Sequence, residues 1–177
     1  MRKTVIALGL ILIFFIVFFL QANIFSSFTI AGITPNLFVI YVLFIGLFAN
    51  QFFGISLGVL FGLILDFVYG KVIGTTAVML CVIGYLGSYF DKNFSKENKL
   101  TIIMMVAGAT VIYEFGLYFL NSLILNFDRE YFAFLKIVLI ETLYNSLLSI
   151  IFYPLIQKTG YLVDRTYKKN NILTRYY

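Results

Sequence analysis

Near the start of the chain, 62 consecutive residues, Thr4 to Leu65, include no Asp, Glu, Lys or Arg. A helix that crosses a lipid bilayer needs about 20 residues, so this stretch is long enough for three crossings with their connections. Of all 177 residues, 12% are charged, whereas a soluble domain has roughly 25%. The sequence therefore predicts an all-α, polytopic integral membrane protein, with residues 1–177 forming a single membrane domain.

The residue types exclude several kinds of chemistry. The chain has no His and one Cys, Cys81, which excludes catalysis by His, zinc sites of Cys and His, and an intrachain disulfide. It also has no phosphate-binding glycine loop and no nucleophile elbow. We therefore expect no enzymatic activity, no cofactor and no metal site. The formal charge of +5 is attributed to membrane topology rather than to nucleic-acid binding.

Long apolar runs bounded by charges or turn residues mark six candidate transmembrane helices. Their approximate ranges are 4–21, 35–50, 52–69, 72–90, 100–121 and 132–157. The second and third are barely long enough for two crossings, and only Asn50 and Gln51 mark the turn between them. One long helix or a re-entrant pair is the alternative. The first run also resembles a secretory signal peptide, but its length and the lack of a convincing cleavage site favour a retained anchor.

The basic residues orient the six spans. With a cytoplasmic N-terminus, ten Lys and Arg residues fall on the cytoplasmic side, and Lys71 and Arg129 fall on the other. Cytoplasmic loops carry an excess of Lys and Arg, so both termini are predicted to be cytoplasmic. Merging spans two and three would remove this excess of basic residues on the cytoplasmic side. We expect the basic cytoplasmic ends, chiefly the tail 158–177, to lie on anionic lipid. A docking site for a cytoplasmic protein is the alternative.

A row of small residues follows one side of the third span. Gly54, Gly58 and Gly62 are four residues apart, and Asp66 comes next at the same spacing. Four residues are about one helical turn, so these positions lie above one another. Small residues in such a row let two helices approach closely in lipid. The row predicts a helix or partner interface that brings Asp66 into protein.

Ionisable groups at membrane depth are costly, by about 2.5–3.5 kcal/mol on insertion scales, and normally face a partner or a cavity. Four occur here, and the six-span topology places all of them in the outer half of the membrane. They form a candidate outer polar cluster with an Asn from the sixth span: Asp66, Glu114, Lys136, Glu141 and Asn145. We expect Lys136 to offset part of the negative charge. The cluster suits a small-molecule pocket, a partner socket or an internal hydrogen-bonded lock.

Three segments resemble a known family. They are GITPNL (Gly32 to Leu37), the run GISLGVLFGLILD (Gly54 to Asp66) and, after Gly74, GYLGSY (Gly84 to Tyr89). In this order, and with this length, they resemble MreD, the family of bacterial rod-shape-determining proteins. The family often has Asp where Asn36 stands, which argues against a required charge at that position.

This resemblance implies a non-enzymatic scaffold of the cell-elongation complex in the bacterial cytoplasmic membrane. Members of the family bind MreC, a single-span protein with a large external domain. They work with the actin-like MreB, the glycosyltransferase RodA and its transpeptidase partner in wall synthesis. The family has no catalytic residues to carry over, so the matched positions are candidates for the fold and the partner interface: Pro35, Asn36, Gly54, Gly58, Gly62 and Asp66.

A different function is also open. The architecture of the family is similar to that of the substrate-binding components of energy-coupling-factor vitamin transporters, whose ligand pocket opens outward. The outer polar cluster suits such a pocket. Against this alternative, those components commonly have an Ala–x–x–x–Ala signature on the first span, whereas here Ala7 is followed four residues later by Ile11. The cluster also has few of the varied hydrogen-bonding groups that a vitamin needs.

Overall fold

The computed structural model describes residues 2–69, 72–96, 98–125 and 130–167, with only the backbone for residues 2 and 3. Within these ranges the chain forms six α-helices and no sheet. The helices are α1 (Arg2–Phe19), continued by a π-helical segment (Leu20–Phe25), α2 (Leu37–Phe48), α3 (Gln51–Tyr69), α4 (Thr75–Asn93), α5 (Lys99–Leu125) and α6 (Tyr131–Tyr167). The all-α fold class is confirmed.

Four helical segments are long and apolar enough to cross a membrane, judged by length and composition: Thr4–Phe25, Gln51–Tyr69, Lys99–Leu125 and Tyr131–Tyr167. They fit a membrane protein. The helix α2 is shorter, with 12 residues, and α4 is not among the four. Six helices are therefore present in the described ranges, and four of them have the properties of spans by themselves.

The second and third predicted spans are two separate helices, so the alternative of one long helix is wrong. The helix α2 ends at Phe48, and Ala49 leaves helical geometry with φ −84° and ψ −111°. The side-chain oxygen of Asn50 then accepts a hydrogen bond of 2.9 Å from the backbone N–H of Phe53. Such a contact satisfies a free N–H in the first turn of a helix, which is why α3 begins here.

The helix α2 is both short and enclosed. Every one of its residues except Tyr41 is buried. At 1.5 Å per residue, its 12 residues rise about 18 Å, whereas the 19 residues of α3 rise about 28 Å. Both helices meet at the turn 49–50, so α2 stops about 10 Å short of the far end of α3. The irregular segment 26–36 precedes α2 at that level.

Glycines bring α3 and α4 into backbone contact. A Cβ added to Gly84 would lie 2.1 Å from the carbonyl oxygen of Gly54, closer than real atoms approach. The whole predicted row meets the backbone of α4 in this way: Gly54 at Gly84, Gly58 at Leu80 and Gly62 at Ala77. The row therefore forms a helix interface inside the chain, where α4 covers it.

A buried cation ties the loop between α4 and α5 to α6. The Nζ of Lys96 lies 2.9 Å from Oδ1 of Asp91 and 3.0 Å from Oδ1 of Asp164. It also lies 5.0 Å from the centre of the Phe48 ring, and Lys96 is only 6% exposed. This basic residue is therefore held inside the protein and not on lipid.

The helix α6 continues through Pro154 and extends beyond the predicted sixth span, 132–157, to Tyr167. Its last turns pack against α2, because a Cβ on Gly160 would meet the ring of Phe48 at 2.6 Å. The Phe48 and Tyr161 rings also meet edge to face, with centroids 6.0 Å apart. The first ten residues of the predicted tail are thus helical, and residues 168–177 lie outside the described residues.

Candidate functional site

A cavity of about 340 Å³ lies beside the N-terminal end of α2. It lies at the end of the bundle where α2 is shorter than α3. Five parts of the chain contribute to its wall: the π-helical continuation of α1, the segment 26–36, α2, α3 and α6. The lining residues are Gln21, Ala22, Ser26, Thr34, Pro35, Asn36, Phe38, Tyr69 and Glu141. The predicted interface residues Pro35 and Asn36 are thus part of this wall.

Hydrogen bonds fix the non-helical wall of the cavity. The side-chain amide of Gln21 donates to the carbonyl of Pro35 at 2.8 Å and accepts from the N–H of Leu37 at 3.0 Å. The side chain of Asn36 caps α2 by accepting from the N–H of Val39 at 3.3 Å. Irregular backbone is tolerated at membrane depth only inside protein or along a water-filled cavity. These hydrogen bonds hold the segment 26–36 against the protein along the cavity.

Two carboxyl groups on facing helices approach each other beside this wall. Glu141 of α6 lies close enough to Glu114 of α5 for the two carboxyl groups to interact electrostatically. Asn145 accepts from the backbone N–H of Asn36 at 2.8 Å and donates to the hydroxyl of Thr110 at 3.1 Å. The polar faces of α5 and α6 are therefore in contact with each other. We refer to Glu114 and Glu141 as the acid pair.

The acid pair is not fully satisfied by the chain itself. Glu141 is 7% exposed, and its Oε1 is buried without a hydrogen-bond partner in the part of the chain that the structure describes. Among the described residues, no Lys or Arg lines the cavity. Buried polar atoms are almost always hydrogen-bonded, so an unpartnered carboxyl oxygen in a cavity wall needs an explanation.

The structure does not bring Lys136 into the cluster, contrary to the expectation that it offsets the acids. Its side chain is exposed, whereas Glu141 is buried. The two residues are five positions apart on α6, and five residues turn a helix by about 500°, which leaves them about 140° apart around the axis. Lys136 therefore lies on a different side of α6 from the acid pair.

Asp66 is buried, as the glycine row predicts, but its hydrogen bonds go to the start of α4. One carboxylate oxygen accepts from the N–H groups of Gly74 and Ala77 at 2.8 and 3.1 Å, and the other accepts from Thr76 at 3.1 Å. Gly74 has a left-handed φ of 102°, which favours glycine. A carboxylate is stabilised at a helix N-terminus. Asp66 therefore joins α3 to α4 and makes none of these bonds to the acid pair.

Gln21 and Tyr69 are wall residues that the sequence reasoning missed. Gln21 is the first hydrogen-bonding side chain after Thr4, and a single amide at the end of an apolar run is a usable signal. Tyr69 gave no such signal, because aromatic residues at span ends are also typical of the membrane interface.

Comparison with known families decides the wider class. The family model for the rod shape-determining protein MreD matches residues 1–161, a range that includes the acid pair and every residue lining the cavity. The chain belongs to the MreD family. MreD proteins are membrane-bound structural proteins with a role in rod shape determination, and they are not known as an enzyme family. No curated protein and no solved structure matches the chain.

Proposed function

We propose that the chain is a non-enzymatic scaffold of the bacterial cell-elongation complex. It helps to determine rod shape by binding MreC and by linking cytoplasmic MreB to peptidoglycan synthesis by RodA and its transpeptidase partner. The observation that supports this proposal is the MreD family match over residues 1–161. Family membership also favours shape determination over the transporter component that the polar cluster alone leaves open.

The proposed topology has six crossings of the cytoplasmic membrane and two cytoplasmic termini, similar to the substrate-binding components of energy-coupling-factor transporters. The short helix α2 is compatible with this topology because it is enclosed by protein. Its length need not match the bilayer, and the segment 26–36 completes the crossing along a cavity, where irregular backbone is tolerated.

The proposed contact with MreC lies on a helix face within the membrane. The loop 26–36, which connects the helical segment of α1 to α2, is too short to form a separate binding domain. Of the four long apolar segments, Thr4–Phe25 is the least covered, with 11% of its most apolar window buried against 33% for each of the others. One exposed side of it is entirely apolar: Leu8, Leu12, Phe15 and Phe19. This side is free to pack against the single span of MreC.

The cytoplasmic ends support a second contact. Four basic side chains near them are exposed, in contrast to Lys96: Lys92, Lys99, Lys158 and Arg165. Exposed cations beside a membrane are attracted to anionic lipid by about 1 kcal/mol each. We propose that these residues hold the cytoplasmic face on the membrane surface, where MreB assembles.

The test is depletion of the protein in its own host, followed by microscopy. Depleted cells are expected to become round, and the unchanged chain is expected to restore rods. Unchanged shape together with a vitamin requirement would instead favour the transporter component.

The same strain tests the contact with MreC. Leu12→Trp places a bulky group on the exposed side of α1, and Leu143→Trp places the same group on an exposed position of α6. We expect Leu12→Trp to reduce MreC co-purification and rod restoration, while Leu143→Trp preserves both. Equal co-purification by both variants would exclude this face of α1 as the contact.

A further inference from the structure

The cavity and the acid pair together have the properties of a binding site. Glu141 is more than nine-tenths buried in the cavity wall, and its Oε1 has no hydrogen-bond partner among the described residues. The carboxyl group of Glu114 lies near enough to interact electrostatically with that of Glu141. Two neighbouring carboxyl groups in a site of low polarity ionise together only when a positive group lies with them, and otherwise keep a proton. This arrangement therefore favours a cationic ligand.

The hydrogen-bonding groups define the chemistry of that ligand. Ionised carboxylates only accept hydrogen bonds, and a primary ammonium group offers three N–H donors and no acceptor. Bonds between such partners are among the stronger ones in proteins. Phe38 and Tyr69 supply aromatic rings to the wall, and aromatic rings attract organic cations. A quaternary ammonium group has the same charge but no N–H to give to Glu141.

The size of the cavity favours a small organic molecule. Its volume of about 340 Å³ is at the lower end of the range of about 300–1,000 Å³ that is usual for ligand pockets. This is more space than a bare metal ion fills. Over the described residues, no group of three His, Cys, Asp or Glu side chains is placed to hold a metal ion.

We infer that the cavity binds the primary ammonium group of a small organic amine, either free or as the headgroup of a lipid, with Glu141 as its anionic partner and Glu114 as a second negative charge beside it. This site does not depend on the proposed scaffold function. A scaffold that fails to bind MreC can still bind an amine, and loss of amine binding leaves the shape phenotype to be tested separately.

The first experiment uses the unchanged, purified chain in a neutral detergent. Its melting temperature is measured against rising concentrations of ethanolammonium and, in parallel, of tetramethylammonium at equal ionic strength. A ligand that binds only the folded state raises the melting temperature with its concentration. A saturable rise with ethanolammonium that exceeds the rise with tetramethylammonium is expected. Because no substitution is made, misfolding cannot explain the difference.

The second experiment identifies the residues. Glu141→Gln and Glu114→Gln each remove one charge from the acid pair and keep the shape of the side chain. Each is expected to raise the ethanolammonium concentration at half-saturation by about tenfold, as for loss of a charge-assisted hydrogen bond. Glu130→Gln is the matched control, because Glu130 is exposed at the start of α6. It is expected to leave the half-saturation point unchanged.

The third experiment separates the two sources of the amine. The chain is placed in nanodiscs with equal amounts of phosphatidylethanolamine and phosphatidylcholine, and the lipids that stay bound are identified by native mass spectrometry. Preferential retention of phosphatidylethanolamine, lost in Glu141→Gln, indicates the lipid headgroup. A response to ethanolammonium without lipid preference indicates a free amine. The inference is overturned if ethanolammonium acts no better than tetramethylammonium and neither lipid is preferred, or if both acid-pair variants bind like the unchanged chain.

Discussion

Two buried carboxyl groups in this protein have opposite surroundings, and this difference decides what each of them does. Asp66 accepts three backbone N–H bonds at the start of α4, so its charge is matched by the partial positive charge of a helix N-terminus. Glu141 meets another acid instead and has an oxygen without a partner among the described residues. The first group stabilises the fold, whereas the second is free to bind.

This contrast predicts a structural effect for Asp66→Asn. The amide keeps one acceptor oxygen but places an NH₂ group against backbone N–H donors, and it removes the charge. We expect the free energy of unfolding to fall by about 1.5–3 kcal/mol, the range for a lost hydrogen bond to a charged group. Titration with denaturing detergent measures it. Glu130→Gln, at an exposed carboxyl, is expected to change it by less than about 0.5 kcal/mol. An equal loss in both variants would contradict the role given to Asp66.

The residue scale is also where the sequence misled most. Lys136 is a single cation in an apolar run and is predicted to lie in the membrane, whereas Lys96 belongs to a charged segment and is predicted to lie in a cytoplasmic loop. In the structure Lys136 is exposed, and Lys96 is buried between Asp91 and Asp164. The partner Asp164 is 68 residues away in the chain. A pairing at that distance depends on the final packing, and local pattern does not reveal it.

At the scale of helices, the sequence predicted most of the fold. The third and fifth predicted spans, 52–69 and 100–121, lie within α3 and α5, because long apolar runs bounded by polar residues define helices well. The exact length of α2 was not predictable from apolarity alone, since residues 37–49 are apolar apart from the hydroxyl of Tyr41. Its start depends on Asn36, which caps the helix through a bond to Val39 and is held by Asn145 of α6.

The glycine interface gives a prediction at the same scale. Gly84→Ala would place a Cβ 2.1 Å from a backbone oxygen of α3, and a backbone cannot move aside as a flexible side chain does. We expect a loss of about 3 kcal/mol or more, at the upper end of overpacking effects, measured as a lower melting temperature and a lower yield of folded protein.

Gly108→Ala is the matched control. Gly108 also lies inside a helix, α5, but a Cβ there meets nothing within 4 Å. Ala is the better helix former by about 1 kcal/mol, so this variant is expected to be as stable as the unchanged chain or more stable. Similar losses in the two variants would contradict the close approach of α3 and α4 as the cause, because helix propensity favours Ala at both positions.

At the scale of the whole molecule, the short α2 and the cavity are two aspects of one arrangement. A helix that spans only part of the bundle leaves space at one end, and the segment 26–36 borders that space with hydrogen-bonded backbone. Glu141 of α6 adjoins the same space, with Glu114 of α5 near it. Under the proposed topology this end faces outward, and the ion pairs of Lys96 lie at the cytoplasmic end.

Thiol labelling in intact cells tests this arrangement. Cys81 is half-buried and is first replaced by Ser, after which single cysteines are introduced at Thr34 in the cavity wall and at Lys92, exposed at the end of α4. With six crossings and a cavity open to the outside, a membrane-impermeant maleimide is expected to label Thr34→Cys in intact cells. It is expected to label Lys92→Cys only after the cells are opened. The reverse pattern would invert the topology, and labelling of both in intact cells would show that these two ends of the bundle do not lie on opposite sides of the membrane.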